Sequence, residues 1–167
     1  MGRLTDRIAI ITGSDSGIGQ ATAVAFAGQG ADVVVNYLHD EKGADHTRTQ
    51  VEAAGRRAIV VQADVTDEGQ VERLFDEAVA AFGTVHILMN NAGVDASGTQ
   101  VADLSTEVFD ARIKSYIYAP FWSCRRFINI RKDDGGGGKI INVTSVHDEI
   151  PRAAPRITTA ARAVCGT

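Results

Sequence analysis

Short, almost unbroken apolar runs alternate along this chain with longer stretches in which apolar residues recur every three or four positions. The runs at residues 7–12, 31–36, 58–62, 86–90 and 139–143 are rich in Ile, Val and Leu and predict five strands. Between them, residues 17–28, about 41–54, 68–82 and about 106–129 predict helices. Ile18, Ala21, Val24, Ala25 and Phe26 form the expected apolar positions of the first helix, and Val71, Leu74, Phe75, Ala78, Val79 and Phe82 those of the third. Strands that are apolar at nearly every position, rather than at alternate ones, are covered on both faces. The pattern therefore predicts an α/β fold, a doubly wound parallel sheet with helices on both sides. Gly135–Gly138 reads as a loop leading into the fifth strand. No repeat or internal linker interrupts this order, so one domain is expected.

Composition narrows the class of protein more than the fold. With 167 residues, 44% of them hydrophobic and 23% charged, the chain supports one domain with a core and not two. A net charge of −4 without a concentrated basic face argues against nucleic acid as a partner. No apolar run approaches membrane-spanning length, which argues against a membrane partner. The first residues run straight into the first strand without an apolar leader, and Asp6 breaks a myristoylation pattern. Two distant cysteines, Cys124 and Cys165, fit a reducing compartment, so a cytoplasmic location is expected. His39, His46, His86 and His147 lie in separate segments and predict no metal site.

The first candidate chemistry is the stretch from Thr12 to Gly19, between the first strand and the first helix. Glycines at that junction permit a tight turn and let backbone N–H groups approach a pyrophosphate, while the helix N-terminus adds partial positive charge. The stretch lacks the Gly-Lys-Ser/Thr ending of a P-loop, which disfavours a nucleotide triphosphatase.

Three motifs then occur in order: Thr12-Gly13-x-x-x-Gly17-Ile18-Gly19, Asp64 after the third strand, and Asn90-Asn91-Ala92-Gly93 after the fourth. Together they closely resemble the classical short-chain dehydrogenase/reductase family. Ser145-Val146-His147 followed by Ile150-Pro151 is similar to its bacterial glucose 1-dehydrogenase-like members. The resemblance runs from Arg3 to about Ala153 and implies a Rossmann-type fold, NAD or NADP as cofactor, and a small alcohol or sugar as substrate. It implies that Gly13, Ser14, Ser16, Gly17, Ile18 and Gly19 wrap the pyrophosphate and adenosine ribose. Asp64 would accept from the adenine amino group beside Val65, and Asn91, Ala92 and Gly93 would pass along the cofactor ribose. Two plainer readings stand beside these: Asp64 as a loop cap and Asn91 as a purely structural residue. At the end of the second strand stands Asn36, neither acid nor arginine. It can bond a ribose hydroxyl without repelling a phosphate, which leaves NAD and NADP both open.

The family's proton-transfer group is a tyrosine with a lysine four residues later, a case of acid–base catalysis by pKa tuning, and a serine thirteen residues before the tyrosine holds the substrate oxygen. Ser145 fits the serine. Thr158 and Arg162 stand at the tyrosine and lysine positions, and Tyr116 stands where the family has a helix asparagine. None of the three replacements does the family's chemistry, so weak or absent turnover is expected. The alternative function is a catalytically silent dinucleotide-binding or oligomerisation module.

Residues 1–153 are thus expected to be the dinucleotide-binding domain and residues 154–167 an aberrant tail. Decoded one base out of frame, the codons of the tail permit a tyrosine at position 158 and a lysine at position 162, as one deleted base near codon 154 would explain. The family's last strands are expected to be missing, leaving the fifth strand as an uncovered edge. The homo-oligomer formed by the family is then doubtful for this chain.

Overall fold

The computed structural model describes residues 2–93 and 101–145. They form β1 (Ile8–Ile11), α1 (Gly17–Gly28), β2 (Asp32–Tyr37), α2 (Glu41–Ala53), β3 (Ala58–Gln62), α3 (Glu68–Phe82), β4 (Ile87–Asn90), α4 (Thr106–Ile113), α5 (Ala119–Asp133) and β5 (Lys139–Asn142). All strand pairs are parallel, in the order β3-β2-β1-β4-β5. The chain thus winds outward from β1 in one direction to β3, then returns to β4 and winds the other way. This is the expected doubly wound α/β fold.

The apolar runs hide a period of two, because each face of the sheet has its own helix layer. Ile10, Val34, Val61 and Leu88 point to one side, where Val71, Leu74, Phe75 and Ala78 of α3 and Phe127 and Ile130 of α5 cover them. Ala9, Ile11, Val33, Val35, Ile87 and Met89 point to the other, under Ala23 and Ala27 of α1 and Ala44 and Val51 of α2. The helices begin where the sequence supplies caps. The Asp40 carboxylate accepts from the Gly43 N–H at 3.0 Å, and the Asp67 carboxylate accepts from the Gln70 N–H at 2.9 Å. Gly83, in the left-handed region at φ 85°, ends α3.

Two expectations need correction. The buried positions of α1 are Gly19, Ala23 and Ala27, whereas Ile18 is 63% exposed. Small residues at i, i+4 and i+8 let this helix lie close on the sheet, and a hydrophobicity pattern does not register them. Residues 106–129 are also not one α-helix: a π-helical segment, Lys114–Tyr118, separates α4 from α5. The Ala119 N–H reaches back five residues to the Lys114 carbonyl. Pro120 supplies no N–H to the Tyr116 carbonyl four residues before it, so the α pattern cannot continue unbroken there. Among the described residues β5 stands at an edge of the sheet, and all four of its residues are exposed. Among the described residues no helix is long and apolar enough to cross a membrane.

At the opposite end of the sheet from the glycine loop, His86 extends the β1–β4 ladder. Its N–H donates to the Ile8 carbonyl at 2.9 Å, and its Nδ1 accepts from the Ile8 N–H at 3.2 Å. Nδ1 can accept only in the neutral ring. Burial, with Arg131 and Arg7 nearby, holds the imidazole below its usual range. The folded state therefore binds this proton less readily than the unfolded chain. The stabilisation is full above the ordinary histidine pKa of about 6.5 and is lost as pH falls through the lower folded value. Denaturant titrations between about pH 7.5 and 5 should show stability falling, and His86→Gln should flatten that slope.

Candidate functional site

The outward winding in two directions opens a crevice between β1 and β4 at the carboxyl ends of the strands, where open α/β sheets bind ligands. A groove of about 590 Å³ lies there. Its walls are Gly13 and Asp15–Ile18 after β1, Leu38–Asp40 after β2, Ala63–Thr66 after β3, and Asn91–Gly93 after β4, with Asn36, Ser115 and Val143 completing it.

The glycine loop is built for close approach. Gly13 has φ 58° and Gly17 has φ 54°, both in the region that favours glycine. Gly19 is needed for a different reason: a Cβ there would sit 2.3 Å from the Gly13 carbonyl oxygen and 2.6 Å from Asn91 Nδ2. The Ser16 side chain does not cap α1, unlike the caps of α2, α3 and α4. The first intrahelical bond is donated by Gln20 to the Ser16 carbonyl, so the N–H groups of Gly17, Ile18 and Gly19 precede the ladder. The bare helix end and the loop beside it form an anion cradle.

Side chains from four other places hold this loop still. The Thr12 hydroxyl accepts from the Asn91 and Ala92 N–H groups at 2.9 and 3.0 Å and donates to the Met89 carbonyl at 3.3 Å. Asn91 Nδ2 donates to the Thr12 and Gly13 carbonyls, both at 2.9 Å. Asn36 Oδ1 accepts from the Gly13 N–H at 3.1 Å, while its Nδ2 donates to the Val61 and Ala63 carbonyls at 3.3 and 3.0 Å. From α2, the Thr47 hydroxyl donates to the Ser14 carbonyl at 2.8 Å and accepts from Gln20 Nε2 at 2.8 Å.

The residues singled out from sequence therefore divide by role. Gly13, Ser16, Gly17, Ile18, Asp64, Val65, Ala92 and Gly93 line the groove. Ser14 does not: it is fully buried, its Oγ donating to the Ile11 carbonyl at 2.8 Å. Gly19 serves as clearance for α1 rather than as wall. Asn36 touches the groove, but its amide is committed on both sides and is not available to a ribose, contrary to expectation. The Asn91 amide nitrogen is committed to the Thr12 and Gly13 carbonyls, so its structural role is built, and the residue also lines the groove. Asp64 Oδ1 accepts from the Thr66 N–H and hydroxyl at 2.8 and 2.7 Å, so its loop-capping role is built, and the residue also faces the groove.

Thr12, Gln20 and Thr47 were missed as site residues. Thr47 carried a usable signal, since Ala44, Thr47 and Val51 form the buried stripe of α2 and a hydroxyl in that stripe needs a partner. At the far end of the groove, Ser115 lines the wall from the π segment and Tyr116 is buried beside it. Ser145 follows β5 two residues beyond Val143, which also lines the groove. His147, Thr158 and Arg162 lie outside the described residues.

The family model for short chain dehydrogenases matches residues 7–163. The chain belongs to the short-chain dehydrogenase family. The chain is 35% identical over 149 residues to glucose 1-dehydrogenase 2 of Bacillus subtilis, covering 89% of this chain and 58% of that protein. It is 40% identical over 148 residues to 3beta-hydroxysteroid dehydrogenase 1 of Eggerthella lenta, covering 89% of this chain and 56% of the relative. In three dimensions it is similar to a short chain dehydrogenase from Burkholderia cenocepacia solved in complex with NADP. The TM-score is 0.90 at 30% identity, covering 98% of this chain and 66% of that one. The chain thus spans a little over half the length of these two curated relatives.

Proposed function

We propose that this chain binds NAD or NADP in the groove, and that by descent it is an oxidoreductase of the glucose 1-dehydrogenase-like kind. Its substrate would be a secondary alcohol or a sugar. The observation that carries the reading is the uncapped N-terminus of α1 beside a glycine loop braced from α1, α2, β2 and the turn after β4. A diphosphate fits that cradle, because its charge meets backbone N–H donors and a helix dipole. Asp15–Ile18 would meet the diphosphate, Leu38, His39 and Asp40 the adenosine ribose, and Asp64 and Val65 the adenine. When bound, the nicotinamide supplies or accepts a hydride. With the Asn36 amide committed, choice between NAD and NADP falls to the segment Leu38–Asp40.

A second reading is favoured by Tyr116, which is buried in the π segment at the family's asparagine position. With Thr158 and Arg162 at the tyrosine and lysine positions, it supports a chain that binds dinucleotide without turning over substrate. We read residues 154–167 as a tail displaced by one base, a reading that the gene sequence tests directly. The well-separated cysteines support assignment to the cytoplasm.

Fluorescence titration with NADH and NADPH, run beside an assay with glucose and simple secondary alcohols, separates the readings. Expected is saturable cofactor binding with turnover about 10²–10⁴-fold below that of B. subtilis glucose 1-dehydrogenase 2 in the same assay, the usual worth of an acid–base group. Turnover equal to that relative would remove the silent reading, and absence of binding would remove both.

A further inference from the structure

The braces on the glycine loop are not equivalent. Thr12, Asn36 and Asn91 hold its first residues to the sheet, whereas the Ser14 and Asp15 carbonyls are held by side chains of α2 and α1. Thr47 is fully buried, and its hydroxyl meets the Ser14 carbonyl at 2.8 Å, closer than the Gly43 carbonyl of its own helix at 3.0 Å. Gln20 Nε2 donates to the Thr47 hydroxyl at 2.8 Å and to the Asp15 carbonyl at 3.3 Å. Two successive loop carbonyls are thus held by one connected pair of side chains from two helices. Gly43 allows the approach, since a Cβ there would lie 2.5 Å from the Asp15 carbonyl oxygen.

In a trans peptide the carbonyl and the next residue's N–H point in opposite directions. Holding the Ser14 and Asp15 carbonyls toward α2 and α1 therefore turns the Asp15 and Ser16 N–H groups the other way. Those two residues line the groove, and no acceptor among the described residues takes either N–H. On the reading that the groove holds a dinucleotide, on which this inference rests, we propose that Thr47 is a positioning residue for the diphosphate. With Gln20 it fixes the two peptide planes whose N–H groups face the phosphate oxygens. Because the bonds are buried and joined in series, each strengthens the other. Thr47 touches no ligand. Its effect passes through the loop, and it should act on phosphate-bearing ligands and not on the nucleoside.

Thr47→Val is close in shape and removes only the hydroxyl. Its affinity for NADPH and for ADP, by titration calorimetry, should fall about five- to tenfold, as for loss of one buried hydrogen bond in series. Its binding of adenosine, followed by NMR shifts, should not change, and Thr47→Ser should recover the wild-type affinities. Thr49→Val supplies the control: Thr49 is exposed and its hydroxyl bonds the Asp45 carbonyl of the same helix at 2.9 Å. It should bind all three ligands as the wild type does. Should Thr47→Val fail to fold, Gln20→Met removes the amide that holds Asp15 and carries the same expectation. Unchanged ADP affinity in the folded variant overturns the proposal, as does an equal loss for adenosine. If the wild type itself binds no NADPH, it is the dinucleotide reading that falls.

Discussion

Gly19→Val should abolish measurable dinucleotide binding, with a loss of affinity of about 10²–10⁴-fold, while Gly17→Ala leaves binding detectable. A side chain at position 19 meets fixed atoms on three sides: the Gly13 carbonyl oxygen at 2.3 Å, Asn91 Nδ2 at 2.6 Å and Ser14 Cα at 2.9 Å. The loop cannot give way there, because Asn36, Asn91 and Thr47 hold Gly13 and Ser14 by hydrogen bonds. The helix must instead lift from the sheet, a form of overpacking that costs about 1–3 kcal/mol in stability. Lifting carries the N–H groups of Gly17 and Ile18 away from the phosphates. Two charge-assisted hydrogen bonds of about 1.5–3 kcal/mol each account for the predicted range of affinity. At position 17 a Cβ meets nothing within 4 Å, and the cost is only that of φ 54°, about 1–2 kcal/mol of backbone strain. Isothermal titration and thermal denaturation of the two variants distinguish the clash from the strain.

The second large effect is expected at Asn36. Asn36→Leu should lower folding stability by about 3–5 kcal/mol, because it leaves the Gly13 N–H and the Val61 and Ala63 carbonyls short of a buried partner at once. Asn36→Asp is the more informative variant. A carboxylate at the end of the second strand is the general device for choosing NAD over NADP. Here it would face the Val61 and Ala63 carbonyls without a proton to donate. The variant should therefore lose stability, and the ratio of NADH to NADPH affinity should stay within about twofold of wild type. A strong swing toward NADH would show that the side chain is free to reach a ribose, against the bonding described above. Denaturant titration and the two fluorescence titrations measure both quantities on one preparation.

How much of this was legible in the sequence depends on where each signal is stored. The span of α3 was read to the residue because Asp67 caps it, Gly83 stops it, and its buried residues are large and apolar. β3 was equally plain. The glycine loop was found because its glycines fall between a strand and a helix, where few other sequences would serve. The inward face of α1 was misread because Gly19, Ala23 and Ala27 bury little area and leave no hydrophobic trace, while the larger Ile18 faces the groove. The break between α4 and α5 follows from one missing N–H at Pro120, which periodicity does not weigh. Asn36 and Ser14 were placed in the loop's neighbourhood but assigned to ligand contact. Their side chains are spent within the protein, and that can be seen only when β2, β3 and the loop are brought together. Thr47 lies 33 residues from its partner Ser14, and no local pattern announces such a pairing.

The claim on which the rest depends is that a nicotinamide dinucleotide sits across the carboxyl ends of β1, β2, β3 and β4. Amide-resolved NMR titration of the chain with NADP tests it most directly. The account predicts saturable shifts of the amides of Asp15–Gly19, Leu38–Asp40, Asp64–Thr66 and Asn91–Gly93, with those of Gly135–Gly138 at the other end of the sheet unmoved. Saturable shifts confined to any other surface, or no shifts at millimolar NADP and NAD alike, would contradict it.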